Sequence, residues 1–132
     1  MVAMNPADRD PLDQVRRILQ GGTIAIVGGD QRRTHVERLS QAFELDGLLW
    51  VPTRESDASS RRFAAVIRRE ELTLVVSLHG LLRHQHTHDL RAMCRRFNIP
   101  LLSYWRSPHP AGLAAALVAQ HMLDAIRARR GR

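Results

Sequence analysis

The amino-acid sequence predicts a single α/β domain built on an open parallel β-sheet of about four strands. Hydrophobic residues switch four times between the two-residue repeat of a strand and the 3.6-residue repeat of a helix, which is the pattern of consecutive β–α–β units. The segment Leu72–Leu78 is almost continuously apolar, as expected for a strand buried on both faces of a sheet. A chain of 132 residues is long enough to form one domain with a core of its own.

Four strands are predicted along the chain. The first, Thr23–Val27, stops at Gly28-Gly29, and the second, residues 48–52, ends where a proline removes a backbone donor. The third is Leu72–Leu78 and the fourth is residues 100–105. Parallel strands require right-handed crossovers, which place helices on both faces of the sheet. We therefore predict a Rossmann-like, three-layer architecture with the strand order 2-1-3-4 of flavodoxin-like sheets.

Helical periodicity predicts the segments between and after these strands. The first helix follows the Gly28-Gly29 turn, and Gly47 is predicted to stop it at its C-terminal end. The last is apolar nearly all round from Ala111 to Ala119, so we expect it to lie in the core and at a dimer interface. In chain order the predicted helices span residues 32–46, 57–71, 84–97 and 112–128.

The two ends of the chain are predicted to lie outside the α/β body, which we place at residues 21–126. Residues 1–20 carry apolar side chains at helical spacing and are expected to form an N-terminal helical extension that packs onto this body. Residues 127–132 contain four arginines and are interpreted as a frayed, solvated basic tail, with polyanion binding as the alternative.

The charge balance favours an anionic partner. All 20 basic residues are arginine, against 13 acidic residues, and the formal net charge of +7 attracts nucleic acid, nucleotides, phosphate or the carboxylates of a cofactor. A coding bias toward arginine is the competing explanation for the absence of lysine. The charge would act in either case.

The sequence also predicts a cytoplasmic protein. No apolar run reaches the roughly 18 residues that a membrane span requires, and the N-terminal residues lack the features of a secretory signal. Cys94 has no partner for an internal disulfide, which fits a reducing compartment.

Ligands of open parallel sheets bind beyond the carboxyl ends of the strands, where the strand order reverses. In this sequence that position gathers the loops after the first, third and fourth strands. These loops contain residues 28–33, 79–84 and 106–110. The fold predicts the place of a site there without defining its chemistry.

The Gly28-Gly29 turn is the first candidate for ligand binding. Glycines between a strand and a helix let the backbone approach an anion, and Arg33 would add positive charge. The two glycines complete neither a GxGxxG dinucleotide motif nor a Walker loop. A tight turn that needs positive φ is the competing interpretation.

Four of the seven histidines, His79, His84, His86 and His88, fall within ten residues and form the most specific local signal. On a helix, His84 and His88 are one turn apart and could share a metal ion through their imidazoles. A third ligand would have to come from His79, His86 or His109. The competing interpretation is a polar helix start whose histidines are solvated or cap the helix.

Further functional candidates are less specific. Trp105 and Arg106 follow the fourth strand, where the indole could form an apolar wall of the site or the rim of the core. Arginines on the outer face of the second helix are interpreted as a solvated surface, with contacts to a nucleic-acid backbone as the alternative. The sequence has no G-x-S-x-G elbow, and Cys94 is predicted to face the core, so catalysis is not the favoured interpretation.

Several short motifs resemble a small bacterial family called domain of unknown function 2325. They are Ile26-Val27-Gly28-Gly29 followed by Arg33, Val75-Val76-Ser77, and His84 sixteen residues before Pro100 with Arg91 and Cys94 between them. The resemblance covers about residues 23–117. It implies a Rossmann-like domain in the bacterial cytosol and raises His84 and Arg91 above their neighbours as site candidates. Arg83 stands where the family usually has a serine, and the resemblance implies no activity.

Together these features favour a non-enzymatic binding domain for a metal ion or a metal-containing cofactor, haem included. His84 would be the principal ligand, with His79, His88 and His109 as the other candidates. Haem would suit a single axial histidine with arginines paired to its propionates. The alternative is an anion-binding regulatory module for nucleotide or nucleic acid. The ligand-binding residues that the two hypotheses use are Gly28, Gly29, Arg33, His84, Arg91, Trp105 and Arg106.

Overall fold

The computed structural model describes residues 10–29, 32–52, 65–67, 69, 71–78 and 84–131, except for the side chains of residues 84 and 85. Within these ranges lie four strands, β1 (Thr23–Val27), β2 (Gly47–Val51), β3 (Leu72–Leu78) and β4 (Leu101–Tyr104). The helices are α1 (Pro11–Leu19), α2 (Arg33–Ala42), α3 (His84–Arg96), α4 (Pro110–Ala119) and α5 (Leu123–Arg130). Residues 65–67 are also helical, whereas most of the predicted helix 57–71 falls outside the described residues.

The four strands form one parallel sheet in the order β2-β1-β3-β4, which confirms the predicted fold class and strand order. β1 pairs with β2 from Thr23 opposite Gly47 to Val27 opposite Val51. On its other side β1 pairs with β3, and β3 pairs with β4. The chain moves from β1 outward to β2 and from β3 outward to β4, so the strand order reverses between β1 and β3.

Helices cover both faces of the sheet. The first face carries Ile24 and Val76 and packs against α1, α2, α4 and α5. The second face carries Ala25 and Val75 and packs against α3 and Ile67. All seven residues of β3 are buried, because this strand has a neighbour on each side and helices above and below. The apolar sequence of β3 therefore reflects burial on both faces of the sheet, as predicted.

The first helix belongs to this core. Asp10 caps α1 by accepting a hydrogen bond from the amide of Leu12 at 3.2 Å, and Pro11 occupies the first turn, where its missing donor costs nothing. Val15 and Leu19 are fully buried in the cluster that covers the first face. Residues 10–20 of the predicted N-terminal extension therefore pack as an integral part of the domain, and residues 1–9 lie outside the described residues.

Three helices, α2, α3 and α4, are followed by residues other than glycine that adopt the left-handed conformation, and α2 and α4 end earlier than predicted. Glu44, Asn98 and His121 have φ values of 51°, 54° and 56°. In each case the next amide bonds back five residues, as in Leu45 N–H to Ser40 O at 2.9 Å and Met122 N–H to Leu117 O at 3.0 Å, which is the Schellman arrangement. The interpretation of Gly47 as a helix stop was wrong, since Gly47 begins β2.

The last predicted helix, 112–128, is two helices in the structure. The left-handed residue His121 separates α4 from α5. α4 buries Leu113, Ala114 and Leu117, whereas its opposite side exposes small side chains at Ala111, Ala115 and Ala119. A Cβ at Gly112 would overlap the Tyr104 hydroxyl, so glycine lets α4 approach β4 closely. No helix in the described ranges combines the length and the apolar character needed to cross a membrane.

The predicted frayed tail is wrong for residues 127–130, which form the end of α5. Arg129 donates hydrogen bonds from its guanidinium to Leu72 O and, at 3.0 Å, to Phe97 O. Arg130 donates from Nη1 to Ile18 O and Gln20 O, both at 2.7 Å. Leu72 O lies at the start of β3, and the other carbonyls lie at the ends of α3 and α1, where helix geometry leaves acceptors unsatisfied. The arginines therefore fasten α5 to three other elements.

Candidate functional site

The carboxyl ends of all four strands meet at one edge of the sheet, which we call the carboxyl edge. It lies beyond Val27, Val51, Leu78 and Tyr104. The turn after β1, the start of α3 and the start of α4 all lie at this edge, as the sequence predicts. The loop after β3, with His79, falls outside the described residues, as does the side chain of His84.

The turn after β1 is tight and is fastened to β2. Gly28 and Gly29 have φ values of 123° and 65°, which confirms that the turn needs glycine at positive φ. Gly28 donates its N–H to Val51 O at 3.0 Å and accepts a hydrogen bond from Trp50 Nε1 at 3.0 Å. The amide of Gly28 is therefore engaged within the sheet and is not available as an anion donor in this conformation.

Three aromatic rings meet beside this turn, and we call them the His35–Trp50–His109 cluster. The His35 imidazole lies nearly parallel to the Trp50 indole, with ring centroids 6.4 Å apart. The His109 imidazole meets His35 edge-on at a centroid distance of 5.6 Å. His35 comes from the first turn of α2, Trp50 from β2 and His109 from the N-cap position of α4. The cluster thus brings together three separate segments of the chain on the first face.

The surroundings of His35 favour its neutral form. Burial lowers the pKa of His35, and the nearby His109, Arg32 and Arg38 lower it further through their positive charge. At neutral pH the imidazole therefore keeps a nitrogen lone pair. A neutral imidazole is the form that coordinates a metal ion.

This pKa shift predicts a pH-dependent contribution to stability. In the unfolded chain His35 takes up a proton near its ordinary pKa of about 6.5, whereas the folded chain resists protonation. The stability linked to His35 is therefore complete above about pH 6.5 and is lost as the pH falls below that value. In His35→Phe, which keeps an aromatic ring against Trp50, we expect the free energy of unfolding to fall less between about pH 7 and pH 5. Urea unfolding at several pH values measures this, and equal losses in both proteins would show that His35 carries no such linkage.

The other predicted ligand-binding residues lie on the surface around the edge. Arg33 begins α2 and pairs with Glu37 at 3.0 Å in an exposed contact. Arg91 is exposed on α3, and Arg106 is exposed after β4. Trp105 is 73% exposed, so it is not part of the rim of the core. Its side chain is open to contact at the end of β4.

The histidines of α3 do not all face the same way. His88 is exposed together with Arg91, whereas His86 is only 2% exposed and lies on the buried stripe with Leu90 and Cys94. The burial of Cys94 confirms the prediction that this residue faces the core. α3 covers the second face, whereas His109 contacts His35 on the first face. His88 and His109 are therefore separated by the sheet.

Two further observations limit the chemistry of the site. Among the side chains that the structure describes, no group of three or more His, Cys, Asp or Glu residues could hold a metal ion. A site assembled from these residues alone would therefore offer two imidazoles. Burial raises the pKa of the Cys94 thiol to about 12, so the thiol stays protonated and is a poor nucleophile.

His35 and Trp50 were missed as site residues in the sequence analysis. The local signal for His35 was its position in the first turn of the helix that follows the Gly28-Gly29 turn. Trp50 is near the end of β2, and the loop that follows β2 was not among the loops expected to form the site. A scan against models of protein families gives no match for this chain, and a search of curated proteins also gives none.

Proposed function

We propose that this chain is a non-enzymatic binding domain that takes a metal ion or a metal-containing cofactor, haem included, through imidazoles at the carboxyl edge. The contact between His35 and His109, at 5.6 Å between ring centroids, is the observation that carries this proposal. Two imidazoles from different loops fit a shared metal ion, because both rings can turn a nitrogen toward one point between the loops.

Two histidines would be the principal metal ligands, and another histidine is a candidate for the third ligand. His109 and His35 supply the described pair, and His84 begins α3 at the same edge. Neutral His35 fits a ligand role because its lowered pKa leaves the lone pair free at neutral pH. The metal would supply an open coordination position or, in haem, a redox centre.

The charges around the pair favour a cofactor with anionic groups over a bare cation. Arg32 and Arg38 act on His35 through their positive charge, and like charges repel a free metal ion. A metal bound to carboxylates, phosphates or haem propionates would instead be attracted. Trp105 and Arg106, both exposed after β4, would provide an apolar surface and a further cation for such a cofactor.

The second candidate function is that of an anion-binding regulatory module for a nucleotide or nucleic acid. The net charge of +7 and the exposed Arg33, Arg91 and Arg106 favour it. The amide of Gly28 already donates to Val51 O, which argues against the version of this hypothesis in which the glycine turn itself binds the anion.

We further propose that the protein is a cytoplasmic homodimer. The exposed side of α4, formed by Ala111, Ala115 and Ala119, is apolar and made of small side chains that permit close helix packing. Light scattering at high protein concentration tests this. A monomer mass would contradict it.

Titration of metal-free protein with Co²⁺, and separately with haem, tests the main function by visible absorption. At about pH 7.5 we expect a visible spectrum typical of histidine ligation, and we expect binding to reach saturation. Binding should weaken below about pH 6, because the imidazoles become protonated. Binding of the nucleotide probe ATP to an anion site would instead strengthen at lower pH and weaken with added salt. ATP binding of that kind without any metal or haem spectrum would favour the second candidate and contradict the first.

A further inference from the structure

A cavity lies beside the amino ends of the strands, at the end of the sheet opposite the carboxyl edge. It has a volume of about 410 Å³ and is open to solvent on one side. One wall is the end of α3 with the loop that leads to β4, and the other wall is α5. The described lining residues are Cys94, Arg95, Asn98, Ile99, Pro100, Ala125, Ala128 and Arg129. The volume falls within the range of pockets that bind small molecules, roughly 300–1,000 Å³.

The cavity combines apolar surface with positive charge. Its apolar lining residues are Cys94, Ile99, Pro100, Ala125 and Ala128. Arg95 and Arg129 add two guanidinium groups, and none of the described lining residues is acidic. Arg95 is exposed in the last turn of α3, and none of the ion pairs in the described part of the chain involves it. The cavity therefore favours a ligand that has both an anionic group and an apolar body.

Arg129 is held in place at the wall of the cavity. Its guanidinium donates hydrogen bonds to the carbonyl oxygens of Leu72, Phe97 and Asn98. Because these acceptors are neutral, the bonds orient the guanidinium without cancelling its charge. They also occupy carbonyls at the end of α3, whose partial negative charge would otherwise repel an anion. Burial raises the pKa of the Cys94 thiol and the positive charge of Arg129 lowers it, so this charge acts at the cavity wall.

We infer that this cavity binds a small organic carboxylate, with the carboxylate group paired to Arg95 and Arg129 and the apolar body against α5. The planar guanidinium matches the two oxygens of a carboxylate, and hydrogen bonds between charged groups are stronger than neutral ones. The apolar lining favours a molecule with a hydrophobic body over an inorganic ion. This inference goes beyond the proposed function, because the seven residues of β3 place the cavity about 20 Å from the carboxyl edge and no metal is needed.

Benzoate, benzamide and acetate separate the two parts of this inference. Benzoate has both the charge and the ring, benzamide has nearly the same shape without the charge, and acetate has the charge without the ring. Each is titrated into metal-free, ¹⁵N-labelled protein at about pH 7.5, where carboxylates are ionised, and the backbone amide resonances of Asn98 and Ala125 report binding. Benzoate should bind at millimolar concentration or below, and at least about tenfold more tightly than benzamide or acetate. Added salt should weaken the binding of benzoate.

Three substitutions test the place of binding. Ala128 is exposed on α5, where leucine also suits a helix, and the larger side chain of Ala128→Leu should fill the cavity and lower benzoate affinity at least about tenfold. Arg95→Met should lower it about fivefold, the contribution of one exposed charge pair. Arg96→Met is the matched control. Arg96 is also exposed, but it lies over the Phe97 ring at 5.6 Å and is not among the described lining residues, so benzoate affinity should stay unchanged.

His109→Asn should also leave benzoate binding unchanged, which separates this cavity from the metal site. The inference is overturned if benzoate does not bind at millimolar concentration, or if benzamide or acetate binds as tightly. Equal losses in Arg95→Met and Arg96→Met would contradict it as well, because the effect would then come from net charge alone. Unchanged affinity in Ala128→Leu would place the bound benzoate elsewhere on the protein.

Discussion

His109→Asn is expected to lower the affinity of the metal-free protein for Co²⁺ at least about a hundredfold, which corresponds to about 2.7 kcal/mol. Removal of groups that only orient a ligand costs about tenfold to a hundredfold, so a direct ligand should reach at least the upper end of that range. Asparagine suits this position, because His109 occupies the N-cap of α4 and makes no side-chain capping hydrogen bond there. Asparagine is a favoured N-cap residue, so the fold should be retained. Visible absorption measures the affinity.

His121→Asn is the control for this substitution. His121 is exposed and has a φ of 56°, a conformation that asparagine tolerates well. The same chemical change at this position should leave Co²⁺ affinity unchanged. Equal affinities in the His109→Asn variant and the unmodified protein would remove His109 from the site, and an equal loss in both variants would show that the effect is not local.

Arg129→Met is expected to lower the free energy of unfolding by about 2–3 kcal/mol. The guanidinium of Arg129 donates to Leu72 O and Phe97 O, both in part-buried contacts. Methionine fills similar space but donates no hydrogen bond, so these carbonyls lose a charged partner. Urea unfolding measures the change, and the loss should be nearly independent of salt, since the acceptors are neutral.

Arg127→Met makes the same change two residues away, on the solvent side of α5. Arg127 pairs with Asp124 at 3.3 Å, and the two side chains are 67% and 96% exposed. An exposed ion pair of this kind contributes less than about 1 kcal/mol. If Arg127→Met and Arg129→Met cost the same, the carbonyl contacts of Arg129 do not stabilise the domain as described.

The fold could be predicted from local sequence because its main signal is local. β1 and β3 begin and end at the predicted residues, since each is a compact apolar run bounded by residues that stop a strand. The strand order followed from the alternation of strands and helices together with the handedness of crossovers. The ends of α2 and α4 were harder to predict, because Glu44 and His121 take the left-handed position that usually selects glycine.

The role of the C-terminal arginines could not be read from the sequence. Arg129 contacts a carbonyl 57 residues away and Arg130 one 112 residues away, so no local pattern reports either contact. A run of arginines at a chain end has the same composition whether it is solvated or fastens helices together. Only the packing of α5 against α1 and β3 distinguishes the two.

The candidate site was predicted in position and only partly in composition. The carboxyl edge followed from the fold, and His109 was named from its loop. His35 and Trp50 join it through packing between α2, β2 and α4, which sequence spacing does not reveal. The run of histidines on α3 was the strongest local signal, but the helix turns His86 inward and His88 outward. The resemblance to the bacterial family and the role of His84 stay predictions.

The most direct test of a metal site at His35 and His109 is an NMR titration of the histidine side chains. The metal-free protein, labelled with ¹⁵N, is titrated with Zn²⁺ at about pH 7.5, where free imidazoles are neutral. We predict that the imidazole resonances of His35 and His109 shift together and saturate at the same zinc concentration, while those of His88 and His121 stay in place. Zinc binding that leaves the resonances of His35 and His109 unchanged would contradict the proposed site.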